Sequence, residues 1–286
     1  MRIVLLSGLS GSGKSIALNI LEDASYYCVD NLPSQMLQQL VDHLGRRGYD
    51  KVGAAIDIRG GDSIAMLPQQ IAELRARGFA VEFLFLDAKT DTLLQRYQET
   101  RRRHPLADER HTLTESIAEE RRRLERLAEL GQHIDTSDLK PNVLRDWIRQ
   151  FIVPDESGGL TLLFESFGFK HGIPLDAELV FDARCLPNPY YEASLRALTG
   201  RDQAVIDYLE AEADVLRMRG DIARFIGDWL PRYFADNRGY LTVGIGCTGG
   251  QHRSVYLAEW LGRHFRDRVR VLVRHRELPP VPGGRV

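Results

Sequence analysis

The chain has 286 residues, 43% of them hydrophobic, which is enough for two packed units with cores of ordinary size. A formal net charge of -2 argues against a protein that coats nucleic acid by bulk charge, while leaving room for a local basic patch. Three widely spaced cysteines (Cys28, Cys185 and Cys247) form no C-x-x-C pair and argue against a disulfide framework or structural zinc; with no apolar run of membrane-spanning length and no signal peptide ahead of the first strand, they point to the cytoplasm and to no membrane partner.

An apolar strand over residues 2–6 leads into Gly8-Leu9-Ser10-Gly11-Ser12-Gly13-Lys14-Ser15, which fits the P-loop pattern at every fixed position and precedes helical patterning at Ile16, Leu18, Ile20 and Leu21. The glycines let successive backbone N–H groups turn inward around a triphosphate. Lys14 supplies a cation for the outer phosphates, and Ser15 offers its hydroxyl to Mg2+ at the start of a helix whose positive end favours anions. The expected ligand is a nucleoside triphosphate with Mg2+. A short strand at 26–29 precedes Asp30-Asn31-Leu32-Pro33, a candidate switch or substrate-side loop. A longer strand over 52–58 carries Asp57 where a Walker B carboxylate reaches the Mg2+ sphere, and Asp57-Ile58-Arg59-Gly60 spells D-x-x-G, so all four join the nucleotide-site candidates. The competing reading is an ordinary strand-end aspartate. A strand at 81–86 and helices over 92–103 and 115–130 continue an alternation that builds a parallel sheet covered on both faces. The cluster Arg101-Arg102-Arg103-His104-Pro105 reads either as an arginine-bearing lid or as a solvated helix end favoured by the macrodipole.

The pattern gives way to polar and glycine residues at 153–159, as a surface linker does, so the expected domains are 1–152 and 160–286. Strands at 160–164, 179–181, 241–245 and 269–273, with helices at 221–233 and 254–265, make the second domain α/β as well. Gly246-Cys247-Thr248-Gly249-Gly250-Gln251-His252-Arg253-Ser254 lies between a strand and a helix and is a second anion cradle: loop amides around a phosphate, Arg253 as a two-pronged clamp, and a helix N-terminus behind. The same residues match the C-x5-R-S loop of cysteine-dependent phosphatases, although Gly246 stands where those enzymes often have His and no Asp can be named as general acid. A purely structural turn is the third reading.

Together with Cys28-Val29-Asp30-Asn31-Leu32-Pro33, Ser166-Phe167-Gly168-Phe169-Lys170, Phe181-Asp182-Ala183-Arg184 and Leu186-Pro187-Asn188-Pro189, these motifs give the chain a resemblance to the bacterial RapZ family that spans nearly its whole length. The resemblance implies a kinase-like P-loop NTPase domain with weak ATPase or GTPase activity, and a second α/β domain that senses glucosamine-6-phosphate. By the same resemblance the sugar phosphate is held by Lys170, His171, Asp182, Arg184, Cys247, Thr248, Gly249, His252 and Arg253. It further implies an adapter that binds small regulatory RNA and presents it to RNase E; a homo-oligomer is expected. Two departures stand out: the C-terminus lacks the lysine-rich tail of RNA-binding members, and Tyr190 stands beside the implied sugar pocket. Arg263, Arg266, Arg268, Arg270, Arg274 and Arg276 against Asp267 alone still suggest a basic surface, with Arg270, Arg274 and Arg276 as candidate RNA contacts and a solvated helix and strand edge as the plain alternative. Two enzyme readings compete with the adapter: a small-molecule kinase using Lys14, Asp57 and the arginine cluster, and a phosphatase using Cys247.

Overall fold

The computed structural model describes residues 1–152, 160–235 and 240–279, and the expected linker at 153–159 lies outside the described residues. Two compact units emerge, Met1–Val153 and Pro154–Val286.

In the first unit, β1 (Arg2–Gly8), β2 (Tyr27–Val29), β3 (Lys51–Ala55), β4 (Ala80–Asp87) and β5 (Gln132–Asp135) pair in parallel in the order β2-β3-β1-β4-β5. The P-loop follows the central strand β1, and β3, whose following turn carries Asp57, lies beside it. Residues Ile3 to Leu6 are all fully buried, so both faces of β1 are covered, as parallel connections through helices require. Those helices are α1 (Lys14–Asp23), α2 (Leu37–Arg46), α3 (Leu67–Ala76), α4 (Thr90–Thr100), α5 (Leu113–Leu124) and α6 (Pro141–Ile152).

Three elements end earlier than the sequence patterning suggests. β3 stops at Ala55, because the Asp57 side chain accepts the Arg59 N–H at 2.9 Å and turns the chain into a 3-10 segment, Ile58–Met66. α4 stops at Thr100, where Arg101 adopts a left-handed backbone (φ 51°). α5 opens with a capping box between Thr112 and Glu115 and gives way after Leu124 to a 3-10 turn.

The second unit pairs β7 (Leu179–Asp182), β8 (Tyr240–Cys247), β6 (Thr161–Gly168) and β9 (Arg270–His275) in that order, all parallel. β6 is buried along its whole length, whereas edge strand β7 has its more exposed side chains at alternate positions. The helices are α7 (Gln203–Glu210), α8 (Ala213–Ala235) and α9 (Arg253–Phe265); α8 begins two turns before the expected start at 221.

Gly8 shows how tightly the first sheet constrains its loop. With φ 135°, an added Cβ would meet the Leu86 carbonyl oxygen at 2.0 Å, whereas the exposed turn at Gly48 (φ 82°) has open space around it. Gly8→Ala is therefore expected to cost about 3 kcal/mol or more in urea unfolding, and Gly48→Ala about 1 kcal/mol. Equal losses would contradict the close approach of β1 and β4.

Candidate functional site

The P-loop is shaped by three left-handed or extended-positive glycines, Gly8, Gly11 (φ 89°) and Gly13 (φ 106°), conformations that side chains disfavour. Gly13 caps α1 without any side-chain hydrogen bond, so the helix opens toward the cleft with its positive end unmasked. Lys14 crosses the loop: its Nζ donates to the carbonyls of Gly8 at 2.7 Å and Leu9 at 3.0 Å. Burial lowers the Lys14 pKa, and the carboxylates of Glu120, Asp57 and Asp30 work against that loss of charge. From the other side, Arg96 on α4 donates to the Gly11 carbonyl at 3.0 Å and to Thr136, whose hydroxyl in turn reaches the Ser12 carbonyl.

A cleft of about 770 Å³ lies over this loop. Ser15 and Asp57 both line it, a pair of hard oxygen donors of the kind Mg2+ takes together with water and phosphate oxygens, so the donor set fits the expected ion. Among the described residues no cluster of three acidic, His or Cys side chains forms a protein-only metal cage. Asp57 also serves the strand end: it caps the 3-10 segment and pairs with Arg59 at 3.2 Å, and Arg59 reaches Asn31 Oδ1 at 2.6 Å. Both readings of Asp57 thus have a structural counterpart. Three candidates need correcting. Ile58 and Leu9 turn their side chains into the hydrophobic core, because each follows a buried strand, and Gly60 sits within the 3-10 segment away from the cleft lining.

The arginine cluster divides. Arg102 and Arg103 are exposed and line the cleft, whereas His104 is buried against Glu120. Glu120 was not legible as a site residue, since it sits in the charged run Glu119 to Arg123. Its spacing from Ile117 and Leu124, both fully buried, was the available signal: all three share one face of α5. Its carboxylate accepts from the Ser10 N–H (3.0 Å) and Ser10 hydroxyl (2.7 Å). Burial raises its pKa, and the bonds from His104 and Ser10 with the Lys14 charge outweigh that, leaving it below the usual value.

In the second unit, the loop after β8 gathers most of its candidates. Cys247 is buried; its Sγ accepts the Gly250 N–H at 3.2 Å and lies 3.1 Å from Ser254 Oγ. Burial pushes the thiol pKa up, and the bonds from Ser254 and Gly250 with the Arg253 charge outweigh it, so the net direction is down. Gly246 has no room for a histidine, because an added Cβ would meet the Phe169 ring at 2.3 Å.

Arg253 is 4% exposed and is not the free two-pronged clamp that the motif suggests. Its Nη1 donates to the carbonyls of Arg184 (2.9 Å) and Leu186 (2.8 Å), its Nη2 reaches Thr248 Oγ1 at 3.4 Å, and its Nε is buried without a hydrogen-bond partner. His252 turns its ring to the Leu195 carbonyl (3.2 Å), and burial lowers its pKa, so it sits there neutral. Asp182 and Arg184 form an exposed pair, with the guanidinium stacked 3.9 Å over Phe169 and the Asp182 pKa lowered by the hydrogen bond from Arg184. Lys170 is brought to the loop through its backbone, whose N–H donates to the Thr248 carbonyl at 3.3 Å; His171 follows in the same exposed turn. Ser166, His275 and Glu259 form a hydrogen-bonded series reminiscent of a hydrolase, but the Ser166 hydroxyl lies on a fully buried strand residue that no substrate reaches.

The expected RNA arginines are corrected by burial. Arg274 is 2% exposed, and its burial lowers its pKa to about 10 against the opposing pull of Glu165 and Asp176. Arg276 pairs with the same Glu165 at 3.3 Å, and Arg270 is half-buried at the start of β9. The exposed arginines of that stretch are Arg263, Arg266 and Arg268, with the carboxylate of Asp267 exposed between the last two.

The RapZ-like N-terminal domain matches residues 1–156 and the RapZ C-terminal domain residues 160–279. This chain belongs to the RapZ family. It is 62% identical to a nucleotide-binding protein of Azoarcus sp. (strain BH72), with 100% of both chains covered. A nucleotide-binding protein of Dechloromonas aromatica (strain RCB) is 59% identical, covering 97% of this chain and 99% of that one. Among solved structures, a shikimate kinase from Bacteroides thetaiotaomicron aligns at 12% identity with a TM-score of 0.37, over 53% of this chain and 96% of that chain.

The burial pattern yields its own test. Arg274→Ala leaves Glu165 and Asp176 short of counter-charge and is expected to cost about 3–5 kcal/mol in the unfolding of the second unit, against about 0.5 kcal/mol or less for Arg266→Ala. Equally small effects would place Arg274 at the surface.

Proposed function

We propose that this protein is a two-site regulator: the first unit binds ATP or GTP with Mg2+, and the second binds a sugar phosphate, with glucosamine-6-phosphate as the ligand that family membership suggests. The observation that carries the first half is Lys14 held across the loop mouth by two carbonyls, beside an uncapped helix N-terminus and a cleft that also contains Ser15 and Asp57. Phosphate oxygens are stronger partners for that ammonium than neutral carbonyls, so a triphosphate draws on a charge already in place. Slow NTP hydrolysis follows from the same parts, with Mg2+ supplying charge neutralisation between the phosphates when bound.

For the second half, the support is the loop over Thr248 and Gly249 that leads into the N-terminus of α9, where no side chain caps the helix, with the buried Arg253 supplying positive charge behind it. The thiol of Cys247, buried and held from two sides, acts as part of the loop frame. The adapter role, in which the chain binds small regulatory RNA and presents it to an RNase, is proposed through exposed Arg263, Arg266 and Arg268 in place of the buried Arg274 and Arg276.

Calorimetry on the full chain separates the two sites. Lys14→Ala is expected to weaken ATP and GTP binding by roughly ten-fold or more while leaving glucosamine-6-phosphate affinity unchanged. Arg253→Lys, which keeps the charge but cannot hold both carbonyls and Thr248, is expected to do the reverse. Loss of both ligands in either variant, with the protein folded, would contradict the assignment of one ligand to each unit.

A further inference from the structure

The Glu120 carboxylate joins two parts of the first unit that the nucleotide reading treats separately. Ser10 of the P-loop donates to it twice, through its N–H and its hydroxyl, and His104 Nε2 lies 3.0 Å from the same carboxylate. The tautomer follows from geometry: the Leu106 N–H donates to His104 Nδ1 at 3.1 Å, so Nδ1 holds the lone pair and Nε2 carries the proton given to Glu120. Both side chains of the His104–Glu120 pair are wholly buried. The two residues that immediately precede His104 are Arg102 and Arg103, the exposed guanidiniums on the cleft.

A buried carboxylate that gives up a partner is left with an uncompensated desolvation cost, so Ser10, Glu120 and His104 keep their contacts when any one of them moves. Lys14 adds to the linkage, because its charge is among the groups that stabilise the Glu120 anion. The phosphate-binding loop and the arginine segment are therefore joined through one side chain, across 110 and 16 residues of sequence respectively. Arg101, in its left-handed conformation, ends α4, so Arg102 and Arg103 lie outside the helix, next to His104 in the chain.

We propose that Glu120 is a positioning residue that ties the P-loop to the arginine segment, so that a triphosphate seated on the loop brings Arg102 and Arg103 over its outermost phosphate. The proposal rests on the nucleotide reading above and deepens it: it makes the first unit discriminate a nucleoside triphosphate from a diphosphate. Arg102 and Arg103 supply the charge that senses the third phosphate, and Glu120 sets where that charge stands.

The test is a double-mutant cycle read by calorimetry with Mg2+·ATP and Mg2+·ADP on the full chain. Replacing Arg102 and Arg103 together by Ala is expected to reduce the preference for ATP over ADP roughly ten-fold in the otherwise unchanged protein, and less than about two-fold in the Glu120→Gln background. A residue with a merely structural role would weaken both nucleotides alike and leave the arginine effect at full size. That additive result would overturn the proposal, as would an arginine effect absent from the unchanged protein. Should Glu120→Gln fail to fold, His104→Ala breaks the same linkage on the side away from the P-loop, and the cycle run on it must show the same non-additivity. Binding of neither nucleotide by the unchanged protein would remove the nucleotide reading, and the proposal with it.

Discussion

Holding a flexible ammonium group at the mouth of a glycine loop is the constraint around which the first unit is organised. Lys14 sits in an environment that disfavours its charge, and carbonyl dipoles within the loop and carboxylates around it work against that loss. Each neighbouring element contributes to the arrangement. β1 and β4 approach so closely at Gly8 that only glycine fits, α4 and the end of β5 brace the loop from outside through Arg96 and Thr136, and α5 holds Ser10 from behind. The loop is thereby pre-organised for an anion before one arrives, which lowers the ordering cost of binding.

The second unit uses the same succession of strand, loop and helix with a different distribution of charge. Its arginine is directed inward, where it fixes the carbonyls of Arg184 and Leu186, so the charge is part of a frame rather than a mobile arm. His252 and Gln251 fasten the loop to the segment around Leu195 and Leu198 in the same manner. The exposed charges near this loop are Lys170 and Arg184, the latter paired with Asp182 and stacked on Phe169. The fit of Gly246 under two phenylalanine rings explains why the motif departs from the phosphatase pattern at that position: the strand end is packed by aromatic side chains, leaving no space for a histidine.

Much of this was legible in the sequence, for identifiable reasons. The P-loop depends on local backbone demands that glycine, lysine and serine satisfy in fixed order, and the buried parallel strands β1, β4, β6 and β8 read directly as apolar runs. β5 escaped notice because its four residues include Gln132 and His133, so no apolar run marks it. Glu120 was hidden by its charged neighbours, and Arg274 and Arg276 were misread for the converse reason. A series of arginines reads as a surface until the fold is known, whereas here Glu165, itself fully buried on the central strand, faces both of them. Buried charge pairs between neighbouring strands that lie far apart in the sequence leave no periodic trace in it. The RapZ motifs identified the family from their shared order along the chain, yet not which member of a motif points inward.

Hydrogen–deuterium exchange of the full chain, with and without Mg2+·ATP, tests the central claim most directly, because it reports every backbone N–H at once. Protection is expected over residues 8–15, where the loop amides close on the phosphates, and over residues 101–106 and 117–124, which are linked to the loop through Glu120. Protection confined to the second unit, or none at residues 8–15 at saturating nucleotide, would contradict the account.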